Sequence, residues 1–140
     1  MNKNGPIIII EDDEDDRFLL EEVFKTMDYS NEVIYFPDGL SALEYLHVSE
    51  NMPFLILSDI NMPKLNGFEL RDKLHIDANL KLKCIPYLFF STALNQKAVI
   101  DAYSTSAQGF FVKPGTFIDL QDTIKTIVEY WKKCAAPNNF

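Results

Sequence analysis

Residues able to act together on one ligand occur at four well-separated places in the 140-residue chain. Glu11 and Asp12 follow the run Ile7-Ile8-Ile9-Ile10, and Asp59 follows Leu55-Ile56-Leu57-Ser58. Ser91 follows Leu88-Phe89-Phe90, and Lys113 follows Phe110-Phe111-Val112. Each stands at the carboxyl end of a short apolar run. Three carboxylates held close together repel one another, and their charged forms need a compensating cation. Lys113 supplies one positive charge. A hard divalent cation would supply more, and an oxygen-only donor set with room for water and phosphate oxygens suits Mg²⁺, with Mn²⁺ as the alternative. A carboxylate beside such a cation and an ammonium can attack phosphorus and become an acyl phosphate. The Ser91 hydroxyl would then bond a phosphoryl oxygen while Lys113 holds the charge developing on the others.

Bringing these residues together is the task of the elements between them. Strands are predicted at Pro6–Ile10, Val33–Phe36, Phe54–Ser58, Pro86–Phe90 and Gly109–Val112. Several are nearly continuous hydrophobic runs, as parallel strands covered on both faces require. Helical patterns fall at Asp16–Met27, Ser41–His47, Phe68–His75, Gln96–Ser104 and Phe117–Cys134. The first aligns Leu19, Leu20, Val23, Phe24 and Met27, and the last aligns Phe117, Leu120, Ile124, Ile127, Val128 and Trp131, both read as core stripes. Five repeats of strand then helix imply a doubly wound α/β fold, a five-stranded parallel sheet of order 2-1-3-4-5 with helices on both faces. In such a flavodoxin-like three-layer sandwich ligands bind beyond the carboxyl ends of the strands. All four groups of chemically able residues sit there.

Bulk properties agree with one compact domain over 1–140, with a tail at Ala135–Phe140 expected to fray. A net charge of −8, with basic residues paired only at Lys81/Lys83 and Lys132/Lys133, argues against a nucleic-acid partner. No apolar run has the length of a membrane span and the N-terminus is not a secretory signal, so a cytoplasmic location without membrane contact is expected. Cys84 and Cys134 show neither a disulfide framework nor metal-ligand spacing and are read as free thiols.

The segments Ile10-Glu11-Asp12-Asp13, Asp59-Ile60-Asn61-Met62-Pro63 with Gly67, Pro86 through Ser91, and Lys113-Pro114 together resemble the receiver domains of two-component response regulators, of the stand-alone, CheY-like type. The resemblance spans essentially the whole chain. It implies that Asp59 is the phosphorylated aspartate, that Glu11 and Asp12 are the acidic pair binding Mg²⁺, and that the Asn61 backbone carbonyl completes the metal site. It also implies that Ser91, five residues after Pro86, is the switch hydroxyl, with Thr92 next to it as the alternative. Lys113 matches the lysine that bonds the phosphoryl group, and Phe110 matches the aromatic switch position, where a phenylalanine can couple only by packing. In the family the peptide preceding the proline at position 114 is commonly cis.

Plainer readings apply to much of the polar inventory. Asp13, Glu14, Asp15 and Asp16 are read as a solvated helix start, where acids favour the dipole. The same run lacks the glycine and terminal glutamate of an EF-hand, and His47 and His75 are given no role. A phosphatase of the haloacid dehalogenase type would need a general acid at position 61, where the chain has Asn61. A flavodoxin-like electron carrier would not place Glu11–Asp16 against a flavin phosphate, and no P-loop motif is present. A receiver fold without the chemistry is disfavoured because all five site residues are retained.

The resemblance further implies a signalling protein rather than an enzyme in the usual sense. It would take a phosphoryl group from a sensor histidine kinase, including phytochrome-type kinases, or from a histidine phosphotransfer protein. It would hydrolyse that group slowly and signal by contact with a downstream protein target. The resemblance places Val99 and Tyr103 on the family's usual contact face, formed by the helix at Gln96–Ser104, the fifth strand and the helix at Phe117–Cys134, whereas helical spacing alone reads the pair as core. A homodimer through that face is a further expectation.

Overall fold

The computed structural model describes residues 1–92 and 95–137. Its elements in chain order are β1 (Ile7–Ile10), α1 (Glu14–Lys25), β2 (Val33–Phe36), α2 (Gly39–Val48), β3 (Leu55–Ser58), α3 (Gly67–Ile76), α4 (Ala78–Lys81), β4 (Tyr87–Ser91), α5 (Gln96–Ser104), β5 (Gly109–Val112) and α6 (Phe117–Lys133). The strands form one sheet in the order β2-β1-β3-β4-β5, every pair parallel. β1 and β3 lie at its centre and are buried along their whole length. That is why their sequences read as unbroken hydrophobic runs rather than alternating ones.

Alternate residues of each strand feed two separate cores. Ile8, Ile10, Ile56, Tyr87 and Phe89 face one cluster, which contains Ala42, Leu46, Leu70, Leu74 and Ala102 from α2, α3 and α5. Ile7, Ile9, Leu55, Leu57, Leu88 and Phe90 face the other, with Leu20 and Val23 of α1 and Leu120, Ile124, Ile127 and Val128 of α6. The result is the three-layer sandwich predicted from the alternation of elements.

Several boundaries differ from the sequence reading. α1 begins at Glu14 because the Asp13 side chain accepts the amides of Asp15 and Asp16 and caps the helix. α4, a single turn capped by Asp77, is too short for any periodic signal. The expected core stripes are narrower than read: Leu19 and Phe117 are exposed. Of the tail expected to fray, Ala136 is buried in the α1–α6 core, and residues 138–140 lie outside the described residues. No cis peptide bond occurs among the described residues, so the bond before Pro114 is trans, the lower-energy form of an X-Pro bond by about 0.5–1 kcal/mol.

At the end of the sheet where the strands begin, a cavity of about 610 Å³ opens between Arg71, Leu80, Pro86, Gln108 and Trp131. No helix among the described residues is long and apolar enough to cross a membrane.

Candidate functional site

The carboxyl ends of β1, β3, β4 and β5 converge, and short backbone bonds lock them together. The Asp59 amide donates to the Ile10 carbonyl at 3.0 Å, the Glu11 amide to Phe36 at 2.9 Å, and the Lys113 amide to Ser91 at 3.0 Å. The side chains that follow these strands therefore share one crevice. Carboxylate oxygens of Glu11, Asp12 and Asp59 all lie within 4.8 Å of one another. Into this cluster reaches the Lys113 ammonium, donating to Asp59 Oδ2 at 3.1 Å, to Asp16 Oδ2 at 3.0 Å and to Glu11 Oε2.

Electrostatics follow from burial and from that one ammonium. Burial pushes the Glu11 carboxyl up to about 7; the bond from Lys113 opposes this and the neighbouring Asp59 charge adds to it. Burial alone would pull the Lys113 ammonium down, but the bonds to Glu11 and Asp16 and the charge on Asp59 together hold it well above the ordinary lysine value. Lys113 is therefore a fixed cation. Asp12 is exposed and engages no described residue through a hydrogen bond or ion pair, so its carboxylate is open toward solvent at the rim. An all-oxygen cluster with one open member fits a hard divalent cation.

The loop from β3 into α3 shapes the crevice's floor. Asp59 Oδ1 accepts the Ile60 amide at 2.7 Å, which leaves Oδ2 as the edge shared with Lys113. Lys64 takes a left-handed φ of 67°, and the Gly67 amide closes the loop on the Ile60 carbonyl at 2.9 Å. Gly67 is required by close approach: a Cβ there would stand 2.3 Å from the Asp59 carbonyl oxygen. Asn61 is exposed in this loop, two residues beyond Asp59.

The remaining candidates belong to β4 and β5. Ser91 is the buried last residue of β4, whereas Thr92 is exposed beyond it. Phe110 is half-buried in β5, opposite Phe89 in register, with ring centroids 6.2 Å apart.

Sequence reasoning missed Asp16. Read as part of a solvated helix start, it instead bonds Lys113. The available signal was its place on the helix: Asp16 lies four residues before Leu20 and seven before Val23, both buried. A charge on the core stripe needs a partner, and Lys113 is that partner.

Residues 7–125 match the response regulator receiver domain. Response regulator Rcp1 of Synechocystis sp. is 32% identical over 130 residues, covering 89% of this chain and 87% of that protein. Chemotaxis protein CheY-3 of Vibrio cholerae is 28% identical, covering 92% of this chain and 95% of its own length. Among solved structures, the phosphorylated cyanobacterial phytochrome response regulator RcpA superposes with a TM-score of 0.85 at 28% identity, over 96% of this chain and 98% of that one. The Mn²⁺-bound form of Rcp1 gives 0.81 at 30% identity, over 96% and 99%. The chain belongs to the receiver domains of response regulators. It is a signalling protein of a two-component system, and receivers of this family work through histidine kinases and downstream targets.

Proposed function

We propose that Asp59 is the phosphoryl acceptor, that the donor is a phosphohistidine of a sensor histidine kinase or a histidine phosphotransfer protein, and that Mg²⁺ is the working cation. The observation carrying this reading is the Lys113 ammonium bonded to Asp59 and Glu11, two of three carboxylates within 4.8 Å of one another. An oxygen of the Asp59 carboxylate forms a bond to phosphorus, and the electron pair of the breaking P–N bond stays on the imidazole nitrogen. Lys113 then follows the charge from the carboxylate to the phosphoryl oxygens, and the Ser91 hydroxyl donates to one of them. Hydrolysis reverses the modification when water attacks phosphorus, releasing phosphate and the free carboxylate.

Glu11, Asp12, Asp59 and the Asn61 carbonyl would hold the cation, and the Mn²⁺-bound relative supports a divalent ion at this site. When bound, the cation neutralises charge on the transferring group. No turnover is expected beyond self-phosphorylation from donors and slow loss of the group. Output is by protein contact through α5, β5 and α6, where Ile100, Tyr103, Val112 and Ile118 are exposed, Tyr103 by 55%. Val99 of the same helix is half-buried. An exposed amphipathic tyrosine among aliphatic side chains suits the centre of an interface. Phe110, packed on Phe89, would couple that face to Ser91 by packing.

The test is incubation with acetyl phosphate and Mg²⁺, followed by intact mass. The wild type should gain one phosphoryl group and Asp59→Asn none, because an amide is not a competent nucleophile. An equal gain in Asp59→Asn sinks the assignment.

A further inference from the structure

The core beneath the acceptor holds a chain of polar contacts amid apolar side chains. It starts at the peptide of Asp59, whose carbonyl accepts the Ser58 hydroxyl at 2.8 Å. Gly67, the first residue of α3, sits so close to the same carbonyl that a Cβ there would stand 2.3 Å from its oxygen. Tyr87 is fully buried in β4. Its phenol donates to the Gly67 carbonyl at 3.0 Å. Above the Tyr87 ring, 5.7 Å from its centroid, lies the Arg71 guanidinium of α3. Arg71 in turn donates to the carbonyls of Thr105 at 3.0 Å and Ser106 at 2.7 Å, which end α5.

A tyrosine in a fully covered strand brings a hydroxyl that costs free energy unless bonded, where phenylalanine would fill nearly the same space. Here the hydroxyl's partner is the carbonyl of the glycine packed against Asp59. Ser58 and Tyr87 donate their hydroxyl protons to the Asp59 and Gly67 carbonyls, two backbone acceptors that meet at the start of α3.

We propose that Tyr87 is a positioning residue for the acceptor: with Ser58 it fixes the Asp59 peptide against the first turn of α3, and Arg71 carries that turn's position to the end of α5. The inference rests on Asp59 being the acceptor. Tyr87 touches neither the crevice nor the reacting atoms. It acts by holding the backbone from which the Asp59 carboxylate and the Asn61 carbonyl project. The route to α5 through Arg71 is separate from any route through Ser91 and Phe110 and arrives at the other end of the helix.

The experiment measures the rate of phosphorylation by acetyl phosphate with Mg²⁺, per folded molecule, beside thermal melts. Tyr87→Phe keeps the ring and its guanidinium contact and should slow the reaction about tenfold, as loss of a supporting hydrogen bond around a site does. Ser58→Ala combined with Tyr87→Phe should be no slower than the slower single variant, since one brace is broken once. Tyr29→Phe, which removes a phenol bonded to Glu129 on the opposite core, should leave the rate unchanged. Hydrogen exchange at the Thr105 and Ser106 amides should respond to phosphorylation in the wild type and not in Arg71→Met. A wild-type rate in Tyr87→Phe overturns the positioning role while leaving Asp59 as acceptor, and an equal exchange response in Arg71→Met overturns the link to α5. Failure of the wild type to gain a phosphoryl group on Asp59 overturns both readings together.

Discussion

The two faces of the central sheet are built on different principles. Against α1 and α6 the strands present Ile7, Ile9, Leu55, Leu57, Leu88 and Phe90, packed on aliphatic and aromatic side chains. Against α2, α3 and α5 the same strands present Ser58 and Tyr87 beside Ile56 and Phe89, and Arg71 comes down to meet them. Apolar burial is non-directional and resists any loss of volume. Hydrogen bonds are directional, and a displaced partner changes them one at a time. One face therefore holds the fold by volume, and the other adds directional bonds from the strands and α3 to the end of α5.

The largest effect should come from the apolar face. Ile124→Ala removes a side chain with 0% exposure and should cost about 2–5 kcal/mol of stability in denaturant melts. Its phosphorylation rate per folded molecule should match the wild type, and a slowed reaction would break the division between the faces.

Next comes the rim that the polar face supports. Mg²⁺ at a hundred times its dissociation constant should stabilise the wild type by about 2.7 kcal/mol, and Asp12→Ala should lose most of that gain. Without Mg²⁺ the same variant should be no less stable than the wild type, because carboxylate repulsion is relieved. Equal Mg²⁺-dependent shifts in thermal melts of both proteins would remove Asp12 from the ligand set.

Glu11 gives a pH signature of similar or smaller size. Its folded value near 7 stands above the ordinary 4.5, so between those values the folded protein keeps a proton that the unfolded chain has released. Stability from this group is full below about pH 4.5 and is lost as pH rises through 7, by about 1–3 kcal/mol. Urea melts from pH 4.5 to 7.5 in chelator should show that decline, and Glu11→Gln should flatten it. The smallest effect belongs to the outer surface: Tyr103→Ala should change stability by less than about 0.5 kcal/mol. It should weaken the association of the phosphorylated protein in sedimentation. Unchanged association would move the output away from this face.

Much of this architecture was legible in the residues. The buried parallel strands announced themselves as apolar runs, and strand-end chemistry placed Glu11, Asp12, Asp59 and Lys113 together. Asp16 was lost because an acid at a helix start has an ordinary explanation, and only tertiary packing shows that its stripe faces Lys113. Leu19 and Phe117 were read as core because periodicity marks the side of a helix but not how far burial extends around it. The buried bonds made by Ser58, Tyr87 and Arg71 left no periodic trace. Ser58 reads as the end of a strand and Tyr87 as one more aromatic, while their bonds depend on lengths across three elements.

The cavity at the far end of the sheet has a practical consequence. Trp131, the chain's one tryptophan, lines it, with the Tyr130 ring edge-on at 5.1 Å. Asp59 projects from the opposite end. Indole emission follows its immediate surroundings, so the protein carries an optical reporter that is blind to events confined to the crevice. Light from position 131 changes with phosphorylation only if the disturbance crosses the whole molecule, and Arg71, lining the same cavity, marks where it would arrive.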